Sequence, residues 1–237
     1  MDFKKATLTK RIQLTENTIQ LEFSAQEKLD FKAGQFITLK IETEDNKPLM
    51  RAYSIASRPG LDHFELCVKV IDQGKASNWL NSITDGKEIE HIDPAGAFTF
   101  TPNPNKAPLF IATGTGFAPI KAMIEDQLLN KQSQQKMHLI FGVRHIKDIF
   151  YKEIFDQLTQ DYPNFTYDIT LSQPEDPSWA QQGGKTGRVT DLLKTLQIDP
   201  ATTETYICGL KPMIEETTQI LKEKGLPEEA IHFEKFG

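Results

Sequence analysis

The sequence predicts two domains in tandem, an antiparallel β-barrel followed by an α/β domain built on a parallel sheet. Three observations carry that prediction. Apolar residues recur with period two through the first hundred residues, a proline-rich stretch follows, and short apolar runs then alternate with helical spacing. A chain of 237 residues has enough material for one large domain or two modest ones, each with a buried core.

Ile19, Leu21 and Phe23 alternate with Thr18, Gln20 and Glu22, as a strand with one buried face requires. Ile37, Leu39 and Ile41 repeat the pattern, and so do Phe64, Leu66, Val68 and Val70. Ala33-Gly34, Glu44-Asp45-Asn46, Arg58-Pro59-Gly60 and Asp85-Gly86 punctuate these runs as turns. Many short, punctuated strands predict a closed or nearly closed barrel over residues 1–101. Pro102, Pro104 and Pro108 mark residues 102–108 as an extended linker, because proline resists both helix and central strand. Residues 109–237 form the second domain. An apolar run at 109–112 leads into glycines and then helical spacing at Ile120, Met123, Ile124 and Leu128. A run at 139–143 precedes a helix near 147–160. Strands at 165–171 and 205–208, with helices near 190–196 and 212–224, complete a parallel α/β pattern.

Composition narrows the function. Hydrophobic residues at 38% and charged residues at 25% describe an ordinary globular mixture. The net charge of −6 argues against a general nucleic-acid binder, which needs a basic face. Two cysteines, Cys67 and Cys208, cannot build a disulfide framework, a four-thiolate zinc site or an all-cysteine iron–sulfur cluster. The five histidines share no metal-ligand spacing. The start, Met1 to Lys5, has no apolar signal core and no run reaches membrane-spanning length, so a soluble cytoplasmic protein is expected.

Two segments carry chemistry. Thr113-Gly114-Thr115-Gly116-Phe117-Ala118-Pro119 lies between the first strand and first helix of the parallel half. Its glycines permit a sharp turn and close ligand approach, and Pro119 suits the first helical position. The helix then offers free amides and its positive end to an anion. The third glycine of a full dinucleotide fingerprint is absent, and a plain strand–helix turn fits the same residues. Gly184-Lys185-Thr186 imitates a phosphate loop, but Trp179 stands where that loop needs glycine. In the barrel half, Arg51, Tyr53 and Ser54 within Arg51-Ala52-Tyr53-Ser54-Ile55-Ala56-Ser57 suit a flat phosphorylated ligand: guanidinium to phosphate, ring on ring, hydroxyl to a heteroatom. Alone, that run is most often an ordinary strand end with a surface arginine.

Taken in order, the motifs resemble the ferredoxin–NADP reductase superfamily nearly end to end. Arg51 to Ser54 is similar to its Arg-x-Tyr-Ser flavin motif, and Leu66-Cys67-Val68-Lys69-Val70 to the strand that follows. Gly74-Lys75-Ala76-Ser77 resembles its Gly-x-x-Ser pyrophosphate turn, and Pro94-Ala95-Gly96-Ala97-Phe98 the segment closing the flavin domain. Gly114 to Pro119 resembles the family's Gly-Thr-Gly-x-Ala-Pro. Phe141-Gly142-Val143-Arg144, with Asp148 and Tyr151, looks like its second strand and helix. Cys208-Gly209-Leu210-Lys211-Pro212-Met213 is similar to its Cys-Gly…Met signature, and Phe233 to Gly237 to its acidic-plus-aromatic terminus.

The resemblance implies FAD in the barrel and NAD(P)H on a Rossmann-like parallel sheet. It implies Arg51, Gly74, Lys75, Ala76 and Ser77 around the FAD pyrophosphate, Tyr53 on the isoalloxazine, and Ala52, Cys67 and Lys69 lining the flavin. Ser54 near flavin N5, Cys208 beside the reactive nicotinamide carbon, and Glu234 form the implied catalytic set. Gly114, Thr115, Gly116 and Gly209 would receive the dinucleotide, with Arg144, Ser172 and Arg188 at its far end. Phe236 matches the aromatic that covers the flavin, although here it is penultimate. Cys208 is otherwise a small buried hydrophobe and Glu234 a solvated terminal carboxylate.

Ser172-Gln173 replaces the Ser-Arg pair of NADP-selective relatives, and Glu175 and Asp176 follow, yet Arg144, Lys185 and Arg188 remain as cations. The balance tips slightly toward NADPH over NADH. The implied activity passes hydride from NAD(P)H to FAD and electrons to an external acceptor: a ferredoxin, a flavodoxin, an oxygenase component or a small oxidant. Lys32, Lys75, Lys211 and Lys235 offer basic docking residues for an acidic carrier. Two cysteines imply no fused plant-type ferredoxin module in this chain. An NADH-dependent oxygenase-component or free-flavin reductase is one alternative. A non-catalytic FAD-holding electron-transfer subunit is another, and a flavin-free binding module is disfavoured by the Arg51-Tyr53-Ser54 set.

Overall fold

The computed structural model describes residues 2–43 and 47–236, so the turn expected at Glu44-Asp45-Asn46 and the terminal Gly237 lie outside the described residues. The chain divides into two units, Met1–Phe100 with Lys121–Asn130, and Thr101–Ile120 with Lys131–Gly237.

The first unit holds β1 (Lys4–Thr15), β2 (Thr18–Ala25), β3 (Phe36–Ile41), β4 (Leu49–Ser54), β5 (Phe64–Lys69), α1 (Lys75–Ser82) and β6 (Glu88–Ala95). The strands pair antiparallel in the order β4-β3-β6-β1-β2-β5. The two ends of that sheet meet at an Ile55–Leu66 bridge, reinforced by the Ala56 amide donating to the Glu65 carbonyl at 2.7 Å. Closure removes the exposed edges that an open sheet would leave. The alternating residues Ile19, Leu21, Phe23, Ile37, Leu39, Ile41, Phe64, Leu66 and Val68 form its core, with Ala6 and Leu8 from β1. β1, β4 and β6 are the strands the periodicity did not signal, because few large apolar side chains point inward from them. Gly34, at φ +102°, needs to be glycine: a Cβ there would overlap the Phe98 carbonyl and the Met123 methyl.

The second unit adds β7 (Ala107–Thr113), α2 (Phe117–Glu125), β8 (Met137–Val143), α3 (Lys152–Asp161), β9 (Phe165–Leu171), α4 (Ser178–Gln181), β10 (Lys185–Thr186), α5 (Val189–Thr195), β11 (Thr203–Leu210), α6 (Lys211–Glu223) and β12 (Ile231–Phe236). Only the first residues of α2 belong to this unit; its Lys121–Glu125 end, with the π-helical turn Asp126–Asn130, clusters with the barrel. All pairings are parallel, in the order β10-β9-β8-β7-β11-β12. Strands buried on both faces read as continuous apolar runs, as residues 108–112 do in β7.

Four details differ from the sequence expectation. β7 begins at Ala107, where Ala107 and Pro108 already pair with Thr203 and Glu204, so the extended stretch is shorter than 102–108. Pro119 is the third residue of α2 rather than the first, because Gly114–Gly116 themselves coil into a 3-10 turn. It stays within the first helical turn, where a missing amide donor is tolerated. The helix expected near 147–160 begins only at Lys152; the buried Tyr151 at φ +60° breaks it from the short turn Ile146–Asp148. β11 runs on to Leu210, so Cys208 lies inside the strand instead of ending it.

Candidate functional site

In the barrel unit, Arg51 and Tyr53 stand opposite Leu39 and Ile37 of β3, two residues apart and therefore on one face of β4. Arg51 is exposed, and one guanidinium nitrogen donates to the Met50 carbonyl at 2.9 Å. Tyr53 packs partly into the barrel core. Burial pushes its phenol up to about 12 despite the opposing charge of Arg51, so the ring is neutral at any working pH. Ser54 is buried at the end of the strand and Ala52 faces the other way, exposed. On β5, Cys67 is buried opposite Gln20 and Lys69 is exposed opposite Thr18.

Gly74 caps α1. The Asn78 amide makes the first helical bond to Gly74 at 2.9 Å, which leaves the amides of Lys75, Ala76 and Ser77 without helical acceptors. The Ser77 hydroxyl works inside the turn: it accepts from the Ile71 amide at 3.1 Å and donates to the Gly74 carbonyl at 3.1 Å. A Cβ at Gly74 would come within 2.6 Å of that hydroxyl oxygen, so only glycine closes the turn. An exposed guanidinium, a neutral aromatic and a glycine-capped turn whose first amides lack helical acceptors are each groups suited to a diphosphate or to a flat ring system.

In the parallel unit, the chain runs β7, β8, β9, β10 in one direction across the sheet and β11, β12 in the other. The order reverses between β7 and β11, and in open α/β sheets the ligand crevice opens at the carboxyl ends of such a pair. Two motifs meet there. A Cβ on Gly116 would lie 2.5 Å from the Cys208 carbonyl oxygen and 2.9 Å from Gly209 Cα. A Cβ on Gly209 would overlap the Thr113 hydroxyl and the Met213 methyl. Gly114 adopts φ +53° with open space around it, so its requirement is conformational. Thr115 sits between the two glycines in the same 3-10 turn, whose leading amides have no helical acceptors.

Cys208 is fully buried, in register with Ala112 on β7 and Glu234 on β12. Burial pushes its thiol well above the usual range and the half-buried Glu234 carboxylate pushes it further, so the sulfur is a neutral thiol. Phe236, half-buried, pairs with Leu210 at the end of the same ladder.

The other expected residues lie at the carboxyl ends of neighbouring strands. Arg144 follows β8 and Ser172 follows β9, and their loops are cross-linked by Ser172 N–H to Val143 at 3.0 Å and Gln173 N–H to Arg144 at 2.9 Å. Arg188 caps α5, its amide donating to the Asp191 carboxylate at 2.8 Å, while the preceding Gly187 amide donates to Leu171 of β9 at 2.8 Å. All three side chains are exposed. Gly184-Lys185-Thr186 forms no phosphate loop: the Trp179 indole covers Gly184 and donates to the Lys185 carbonyl at 2.8 Å.

Sequence reasoning assigned no site role to three neighbours of these residues. Thr113 and Met213, read in the sequence only as members of the two glycine motifs, pack on Gly209. His145 Nδ1 lies 2.9 Å from the Gln173 carbonyl and 3.2 Å from the Glu175 carboxylate, a meeting of two loops that neither loop announces alone.

Residues 5–100 match the family model of an oxidoreductase FAD-binding domain, and residues 110–219 that of an oxidoreductase NAD-binding domain. The Ferredoxin–NADP reductase B of Sorangium cellulosum (strain So ce56) is 32% identical over 212 residues, 87% of this chain and 85% of that protein. The toluate 1,2-dioxygenase electron transfer component of Pseudomonas putida is 28% identical over 235 residues, 98% of this chain and 67% of that protein. The crystal structure of an Amycolatopsis cytochrome P450 reductase matches with a TM-score of 0.89 at 24% identity, over 99% of this chain and 70% of that one, which speaks to the fold. A relative this similar over most of both lengths, together with two matching domain models, makes the chain a member of the ferredoxin–NADP reductase superfamily, an oxidoreductase that binds FAD and a pyridine nucleotide.

Proposed function

We propose that this flavoenzyme oxidises NADPH in preference to NADH and delivers the electrons to a separate redox protein, a ferredoxin or flavodoxin. The observation that carries the reading is the junction at the switch point, where the Gly114–Gly116 turn abuts Cys208 and Gly209 and a neutral thiol sits beside Glu234. An anion-binding turn opening onto a small neutral side chain suits a dinucleotide whose uncharged reactive ring must lie against the sheet. The 32% identity with a ferredoxin–NADP reductase supports the choice of nucleotide and acceptor.

Bound FAD supplies hydride acceptance at N5 and releases electrons singly or as a pair. The chain's part is placement and charge. Arg51 and the Lys75–Ser77 amides hold the diphosphate, the Tyr53 ring supports the isoalloxazine, and the Ser54 hydroxyl donates toward N5. Cys67 and Lys69 line the flavin through their backbone. Gly114, Thr115 and Gly116 hold the nucleotide diphosphate, and Cys208 flanks the nicotinamide without charge. Arg144 and Arg188, with Ser172 between their loops, meet the 2′-phosphate.

A second reading, an NADH-linked reductase serving an oxygenase component, is favoured by the match to the toluate dioxygenase component and by Glu175, which stands on His145 beside the Arg144 loop. One experiment separates them: anaerobic turnover with NADPH and NADH against ferredoxin, flavodoxin, an oxygenase component and free flavin. A higher kcat/KM for NADPH with a protein carrier is expected. A strong NADH preference overturns the first reading, and a protein that cannot be loaded with FAD overturns both.

A further inference from the structure

Helix α2 buries Ile120, Ala122, Met123 and Ile124, and among them stands a lysine only 4% exposed. The Lys121 ammonium lies 2.9 Å from the Glu65 carboxylate and 2.9 Å from that of Glu125, and donates to the Ala56 carbonyl at 3.2 Å. Ala56 is itself fully buried, and its amide donates to the Glu65 carbonyl. The Glu65 amide donates to the Ser57 hydroxyl at 3.1 Å. Glu65 therefore holds the Ala56 amide and the Ser57 hydroxyl directly, and the Ala56 carbonyl through Lys121. Farther along the same segment, the Asn130 amide group donates to the Pro59 carbonyl at 2.9 Å.

This clasp sits on the closing seam of the barrel. The β3–β4 ladder ends at the Phe36–Ser54 pair, and Ile55 already bridges to Leu66 on β5. Ala56 is the first residue past that crossing and the second past Ser54. Stability alone does not account for an ion triad here. Removing three ionisable groups from water is costly, and apolar replacements of similar volume are often neutral or stabilising. A methionine would continue the apolar face of α2; it would not donate to the Ala56 carbonyl.

We propose that Lys121 is a positioning residue for the flavin-facing end of β4, its ammonium fixing the Ala56 carbonyl and with it the backbone that carries Tyr53 and Ser54. The inference rests on the assignment of those two residues to the flavin. Burial draws the Lys121 pKa down, but the Glu125 and Glu65 carboxylates outweigh it and hold the group above the ordinary lysine value, so the donor stays charged.

The test compares K121M and K121R with the parent in the FAD-loaded chain of residues 1–237. Melting temperature, the visible absorption band shape of the flavin, its midpoint potential and the rate constant of flavin reduction are measured. K121M is expected to melt below the parent, because the buried Glu65 and Glu125 carboxylates lose their counter-ion. In its folded form it is expected to alter the band shape and potential and to slow reduction on the order of tenfold, because small misplacements of reacting groups are expensive. K121R, which keeps a charged donor, recovers most of the rate. A K121M protein with the parent's spectrum, potential and rate overturns the proposal. If K121M does not fold, E65Q serves instead, since it loosens the ammonium while keeping the packing, and parental flavin properties in E65Q overturn it equally. A parent that takes up no FAD refutes the flavin assignment itself and the positioning role falls with it; a yellow parent with an indifferent Lys121 refutes only the latter.

Discussion

At the residue scale, the candidate nucleotide site depends on backbones that approach too closely for side chains. Gly116 is the sharpest case, since a Cβ there would press on the Cys208 carbonyl and Gly209 Cα, both main-chain atoms with little freedom to yield. Gly116→Ala is expected to cost about 1–3 kcal/mol at this contact. Much of that should appear as weaker nucleotide binding, roughly tenfold or more in Kd, since about 1.4 kcal/mol corresponds to a factor of ten. Titration of the oxidised protein with NADP⁺ checks it, with the flavin spectrum of the unliganded variant unchanged. An unaltered Kd would remove the Gly114–Gly116 turn from the nucleotide site. The glycines themselves were legible as turn residues. That one of them faces Cys208 was not, because the two positions are brought together only by the β7–β11 pairing.

At the element scale, the barrel strands show how far a period can be read. β2, β3 and β5 alternate cleanly and were recognisable; β1 and β6 carry charged outer faces and add only Ala6, Leu8 and Ile89 to the apolar core, and were not. β6 also hides a titrating group inside the barrel. His91 is fully buried against the edge of Phe64, with Nδ1 donating to the Ile92 carbonyl at 3.3 Å and Nε2 without a hydrogen-bond partner among the described residues. Burial holds its pKa below the ordinary 6.5, although the Ile92 carbonyl and Asp93 favour the charged form. Below about pH 6.5 the unfolded chain binds a proton that the folded barrel refuses, so stability is full above that pH and falls as pH drops toward the folded value. The slope in that window is at most about 1.4 kcal/mol per pH unit. His91→Phe should flatten the acid side of a plot of melting temperature against pH while leaving neutral stability little changed. A variant whose melting temperature falls between neutral pH and about pH 5 as steeply as the parent's would assign the acid sensitivity elsewhere.

At the scale of the whole molecule, the division of the chain is not a single cut. Lys121–Asn130 belongs with the first hundred residues, supplying Met123 beside Gly34 and the Lys121 donor to Ala56. A fragment ending at Phe100 lacks both, and with domain stabilities of only about 5–15 kcal/mol such losses weigh heavily. The fragment is expected to show no cooperative thermal transition by circular dichroism under conditions where the full chain melts cooperatively. A fragment as cooperative as the full chain would make the barrel self-sufficient. The sequence by itself determined the two fold types, the order of the flavin and nucleotide motifs and the glycines of the turns, because periodicity and turn chemistry are local. Tertiary structure alone decided that Gly116 meets Cys208, that Glu234 stands beside that thiol, and that a lysine in an apolar helix closes the barrel seam. Those meetings depend on strand order and barrel closure, which are pairings between distant segments that no local period encodes.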